Sequence, residues 1–164
     1  KLSNVIIEMD DHFAKFRISD ALMLIYTTVR DEFSSWLLEI LKPAYQQPID
    51  AVTYQATIGY FGELIKLLHP FMPFITEELY QSMVNREEGD SIMIASWPKA
   101  EKIDSDMLDG FNQARDIVAA VRNIRSDKGI SPREVLPLMV MAGNGYSHRF
   151  DALIVKLANV DGIA

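Results

Sequence analysis

Two prolines three residues apart, Pro70 and Pro73, interrupt the apolar stretch 67–81 (LLHPFMPFITEELYQ) and forbid one continuous helix through it. A proline inside a helix removes a backbone donor and clashes with the preceding turn, so Pro70 must end whatever helix arrives there. Pro73 suits the first turn of a new helix, where its missing N–H costs nothing. The spacing therefore predicts a tight corner between two helices, lined by Phe71, Met72 and Phe74, with the aromatics as core. Glu77 and Glu78 then fall early in the second helix, where negative charge favours the positive end of the dipole.

The rest of the chain falls into place around that corner. Leu2, Val5, Ile6, Met9 and Phe13 recur at helical spacing, which predicts a first amphipathic helix with no capping residue before it. After a break at KFRIS, Ser19 is the expected N-cap of a long second helix whose stripe is Leu22, Ile25, Val29, Phe33, Trp36, Leu37 and Ile40. Pro43 should end it, because the residue before a proline is pushed out of helical geometry. Asp50 is placed to cap a third helix carrying Tyr54, Ile58, Phe61, Ile65 and Leu68, which runs into Pro70. Residues 84–103 lack a helical period, so SIMIASWP reads as an extended strap with Trp97 and Pro98 pinned on the bundle surface. A fifth helix is expected over 104–127 (Met107, Phe111, Ala114, Val118, Val121), stopped by Gly129. VLPLMVMAG then has the length of a short buried strand, and residues 147–158 read as a further helix.

The expected fold is mainly α: a bundle of about five helices over 1–133, followed at 134–164 by the start of a small, truncated α/β subdomain. At 164 residues the chain is long enough for a real core. Its hydrophobic fraction of 49% and charged fraction of 24% are those of a globular protein. No apolar run reaches the roughly 18 residues that a membrane helix needs, so no membrane partner is expected. The absence of cysteine excludes disulfides and thiolate metal sites and suits a reducing compartment. The first residue is Lys1 and helical periodicity begins at once, so we read the chain as a piece of something longer.

Catalytic patterns are scarce. His12, His69 and His148 lie far apart in no metal-ligand spacing; His69, before Pro70 at a helix end, is expected to cap rather than catalyse. Adjacent Glu77 and Glu78 diverge by about 100° on a helix and cannot face one substrate as a pair. Gly59 and Gly62 are mid-helix with no strand before them, which argues for helix packing over phosphate binding. No catalytic residue, cofactor site or metal site is expected.

Charge is more informative. The net charge of −7 argues weakly against nucleic acid, yet it is unevenly spread. Residues 77–109 carry nine acidic and three basic side chains, whereas 110–133 carry five basic (Arg115, Arg122, Arg125, Lys128, Arg133) and two acidic. On the fifth helix Arg115 and Arg122 share one flank of the apolar stripe. Arg125 falls within the stripe itself, so it should face a carboxylate or an anionic partner where the helix outruns its core. A solvated flank with a structural ion pair is the plain reading; a strip facing nucleic-acid phosphates is the functional one.

Four blocks in order, DEFSSWLLEILKP (31–43), LLHPFMPFITEELYQ (67–81), SIMIASWP (91–98) and AVRNIRSDKGISP (120–132), closely resemble the anticodon-binding helical region of bacterial valyl-tRNA synthetases. The resemblance covers nearly the whole chain. The proline-corner block is shared with isoleucyl and leucyl relatives; the strap and the RNIR block tilt the choice to the valyl enzymes. Arg30 and Leu37 depart from the Trp and Tyr common at those positions. The resemblance implies a tRNA-binding domain of a cytoplasmic, monomeric synthetase, partnered by valine tRNA and by the enzyme's own catalytic and C-terminal domains. It further implies that ATP-dependent aminoacylation belongs to a class I catalytic domain whose two signatures are not in this sequence. Part of the RNA contact would come from a helix before Lys1. Arg17 and Lys42, at the two ends of the second helix, join Arg122, Arg125 and Lys128 as candidate tRNA-binding residues. The alternatives are the same domain of an isoleucyl or leucyl enzyme, and a helical protein–protein module with no RNA role.

Overall fold

The structure is a computed structural model; it describes residues 1–141 and 146–163. It divides into two compact units, Lys1–Ile103 and Asp104–Ala164. This packing division falls before the fifth helix, whereas the domain boundary expected from the sequence falls after it.

The first unit is helical. α1 (Leu2–Ala14) starts without a side-chain cap, as its sequence implies. The second helix is one rod of three parts: α2 (Ile18–Thr27), a π-helical stretch (Thr28–Leu37) and α3 (Leu38–Leu41). It ends one residue before Lys42, whose ψ of 121° is the extended geometry that Pro43 imposes. Ser19 is not its cap. The backbone turns at Phe16 in the left-handed region (φ 56°), and Arg17 N–H reaches back to the carbonyl of His12 at 2.8 Å. The new helix is therefore under way by Ile18, with Arg17 at the cap position and no side-chain cap bond.

The π-helical stretch has no counterpart in the expected plain α-helix. Ser34 and Ser35 hydroxyls donate to the carbonyls of Val29 and Arg30, five residues back, both at 2.9 Å. These bonds follow the i→i+5 spacing of a π-helix. Within the widened turn Phe33 is buried and stacks on Tyr60 and Phe61, at 6.0 and 5.2 Å between centroids.

α4 (Ala51–Leu68) begins as expected, with the Asp50 carboxylate accepting from Thr53 N–H at 2.9 Å. α5 (Pro73–Met83) has Pro73 in its first turn. The main core gathers Ile6 and Met9 of α1, Ala21 and Ile25 of α2, Phe33, and Leu64 and Leu67 of α4. A second cluster joins Ile65, Tyr80 and Ile92.

At the proline corner Phe71 packs on the core and stacks on Phe13 at 6.0 Å. Met72 and Phe74 are outside the core, Phe74 being 91% exposed. Phe74 is the second residue of α5 and Thr76 is the buried one, so the inward face begins two residues later than the corner implies. The buried Thr76 hydroxyl donates to Met72 O at 2.8 Å and shares a 2.7 Å hydrogen bond with His69 Nδ1. His69 thus closes the corner, in the structural role expected of it.

Glu77 is no first-turn charge, because α5 already began at Pro73. Its carboxylate accepts from Ser91 Oγ and Gln81 Nε2, both at 2.7 Å, and from Ile92 N–H at 3.2 Å. Those bonds hold its pKa below the ordinary glutamate value, the Gln81 contact contributing most. The strap it anchors is as expected, with a short 3-10 turn (Ile92–Ile94) at its start. Trp97 donates to Asp10 Oδ1 at 3.0 Å and sits edge-on to Phe13, and Pro98 is buried.

The second unit holds α6 (Ser105–Lys128), β1 (Leu136–Leu138), a 3-10 turn (His148–Phe150), α7 (Asp151–Ala158) and β2 (Val160–Ile163). Asp104 caps α6 by accepting from Met107 N–H at 2.9 Å, and Gly129 ends it at φ 64°. β1 and β2 pair in parallel, Leu136 opposite Val160, with α7 as the crossover between them. β2 has no counterpart in the sequence pattern, and β1 is shorter and more open than the buried strand expected: Val135, Met139 and Met141 are exposed. Ala142 and Gly143 of that stretch lie outside the described residues.

Candidate nucleic-acid interface

The five residues expected to face RNA have unlike surroundings. Arg17 is exposed and pairs with the Asp11 carboxylate, which also takes Lys15 Nζ at 2.6 Å. The Lys15 hydrogen bond is the main reason that Asp11 ionises below the ordinary aspartate range. This cluster is a mutual neutralisation leaving one net positive charge, set beside an aromatic ring, Phe16, that is 88% exposed. Lys42, at the other end of the rod, is exposed with Glu39 at 3.6 Å. Beyond Pro43 the backbone turns again at Gln46 (φ 62°), and Tyr45 is 90% exposed.

In the second unit Arg122 is exposed, with one Nη donating to Leu157 O at 3.2 Å. Lys128 stands exposed in the last turn of α6, where a cation also favours the helix dipole. Arg125 meets neither a carboxylate nor an open surface. It is 5% exposed, and its two Nη atoms donate to Ser131 O (2.9 Å), Glu134 O (2.8 Å) and Asn159 O (2.9 Å). Asn159, itself left-handed at φ 53°, adds bonds from Nδ2 to Pro132 O at 3.0 Å and Glu134 O at 3.3 Å. Three carbonyl dipoles in a low-dielectric setting stabilise the buried cation. Arg125 does lie in the apolar stripe, as its spacing implies; what fills the space beside it is the chain's own backbone rather than an anion.

The structure brings forward two residues that the sequence does not single out. Tyr45 has only a weak signal, an aromatic in a short segment between Pro43 and Pro48. Arg133 belongs to the basic strip by composition, but nothing local shows that its turn is clamped. At the position where Arg30 departs from the resemblance, the guanidinium pairs with Asp31 at 2.7 and 2.9 Å and lies over the Tyr26 ring. Gly59, expected to serve close packing, has nothing near its Cβ position; Gly62 faces Met83 at 3.8 Å.

No group of metal-ligating side chains gathers among the described residues, and no described helix is long and apolar enough to cross a membrane.

Residues 1–140 match the family model of the anticodon-binding domain of tRNA ligase. Over 99% of its length the chain is 49% identical to a valine–tRNA ligase of Porphyromonas gingivalis, of which it covers 18%. It is 48% identical to that of Parabacteroides distasonis over its whole length, covering 19% of that protein. A more distant valine–tRNA ligase, from Rhizobium meliloti, is 33% identical over 99% of the chain and 18% of that protein. The chain thus spans about a fifth of the length of the curated relatives it matches. These similarities favour neither the isoleucyl and leucyl alternatives nor a helical module unrelated to RNA. The chain belongs to the anticodon-binding domain family of tRNA ligases.

Proposed function

We propose that this chain binds the anticodon arm of valine tRNA and positions it for ATP-dependent aminoacylation by a class I catalytic domain outside the sequence. The match of residues 1–140 to an anticodon-binding domain, with valine–tRNA ligases among its relatives, carries the reading. ATP then belongs to that other domain, and the chain's own partners are the tRNA and the catalytic and C-terminal domains of a cytoplasmic, monomeric synthetase.

The chemistry asked of this chain is positioning. Exposed cations meet backbone phosphates, and exposed aromatic rings receive unpaired bases. Lys42 beside Tyr45 offers both kinds of interaction, and so does Arg17 beside Phe16. Arg122 and Lys128 offer cations to phosphates on α6. Arg125 supports that surface from beneath.

Filter binding of the chain to valine tRNA and to a non-cognate tRNA tests the reading. Preference for valine tRNA is expected. The pair Arg122→Ala and Lys128→Ala should weaken binding and flatten the fall of log affinity with log salt by about one to two, roughly one for each phosphate no longer neutralised. Equal retention of both tRNAs, or an unchanged slope in the double variant, would overturn it.

A further inference from the structure

The geometry points to Arg133 as a phosphate-binding residue held in place by Arg125, a proposal that rests on the tRNA-binding reading above. Residues 131–134 form a turn, with Glu134 N–H bonded to Ser131 O at 3.1 Å and Arg133 N–H to Ser131 Oγ at 3.3 Å. The carbonyls of Ser131 and Glu134, at the two ends of that turn, both accept from the same Arg125 nitrogen. Asn159 ties a third carbonyl of the turn, that of Pro132, to the start of β2.

Only Arg133 in this turn gives no carbonyl to the clamp, and its side chain is exposed. Among the described residues it has no ion-pair partner, although Glu134 follows it in the chain. An arginine on a rigid turn loses little conformational freedom on meeting an anion, so more of the interaction appears as affinity. Its planar fork also suits phosphate oxygens. Arg122 and Lys128 lie within one turn of Arg125 on α6, so the clamp ties the Arg133 turn to the helix that carries both.

Arg125 is thus a positioning residue, and Arg133 is the group that meets the phosphate. The test measures the salt dependence of binding by the whole chain to valine tRNA and to inorganic polyphosphate. Arg133→Gln should reduce the log–log slope by about one against both probes. Arg125→Lys keeps the charge but cannot span three carbonyls. It should reduce the slope equally, with faster amide exchange over 131–136, and add nothing when combined with Arg133→Gln. A role confined to folding would instead weaken binding equally with or without Arg133. An unchanged slope in Arg133→Gln, or additive effects in the double variant, overturns the proposal. Should the chain fail to prefer valine tRNA while Arg133→Gln still lowers the polyphosphate slope, the tRNA reading falls and the clamped cation stands.

Discussion

The two units balance apolar burial and directed bonds differently. In the first, seven apolar side chains from α1, α2, the π-helical stretch and α4 make one cluster, and its polar ties lie at the periphery. In the second, Ala114 and Val118 of α6 and Ile154, Ala158 and Val160 of the α/β segment are buried, and the buried group at the end of α6 is a guanidinium. An apolar cluster is non-directional and tolerates adjustment, whereas a cation sharing donors among three carbonyls demands one geometry. The α/β segment therefore owes its arrangement to directed bonds as well as to buried apolar area, and the helical unit owes its own mainly to area removed from water.

Truncation should expose that difference. Arg125→Met removes all three Nη bonds. Ser131 O keeps Glu134 N–H and Glu134 O keeps Asn159 Nδ2, so the cost falls mainly on Asn159 O, at about 1–3 kcal/mol for an orphaned acceptor. A destabilisation of about 1–3 kcal/mol is expected in the second unit, read as weakened amide protection over 130–138 and 157–163. Leu64→Ala, at a fully buried site in the main cluster, should cost about 2–5 kcal/mol by transfer and cavity terms. The two differ most in rescue. Leu64→Met should recover most of the stability, because a core accepts a swap of similar volume. Arg125→Lys should recover little, because an ammonium cannot bridge all three carbonyls.

That contrast also explains what is legible in the sequence. Helix rods, caps and corners follow from local rules, so Asp50, Gly129 and the proline pair stand out from the residues alone. Period-3.6 patterning likewise locates Ile6, Met9, Ile25 and Phe33 in the core. Directed long-range bonds leave no such trace. Arg125 bonds to residues 6, 9 and 34 positions away, and Glu77 to Ser91, 14 away. In sequence both look like charges meant for something outside the protein or for a helix dipole. The π-helical stretch is invisible for a related reason, since Ser34 and Ser35 look like ordinary polar positions until their hydroxyls choose a carbonyl. Among the candidate site residues, position on a rod is legible for Arg17, Lys42, Arg122 and Lys128; exposure is not, which is why Arg125 stands among them.

A milder perturbation tests the peripheral ties of the first unit. Glu77 has a lowered pKa in the folded state, so its contribution to holding the strap is complete above the ordinary glutamate value of 4.5. It disappears as pH falls through the lower, folded value. Trp97 reports on the same strap. In a Trp36→Phe background its emission should stay constant from neutral pH down to about pH 4.5 and change below it. Glu77→Gln should remove that acid transition. A transition that persists in Glu77→Gln would assign the tether to another group.

The smallest expected effects separate the units by sign alone. Gly59 in α4 and Gly110 in α6 are both glycines inside helices, where replacement by alanine ordinarily stabilises by about 0.5–1 kcal/mol through backbone entropy. At Gly59 nothing lies within 4 Å of the added Cβ, so the full gain is expected and the midpoint of thermal unfolding should rise slightly. At Gly110 the Cβ would meet Phe150 Cε2 at 3.1 Å and Ser147 Cβ at 3.3 Å. Phe150 is itself edge-on to Phe111 at 5.8 Å, so its ring has a neighbour to disturb if it moves aside. Overpacking of that kind costs about 1–3 kcal/mol, more than the entropy gained, and Gly110→Ala should destabilise. Equal stabilisation by both substitutions would mean that the turn at 148–150 yields freely to the added methyl.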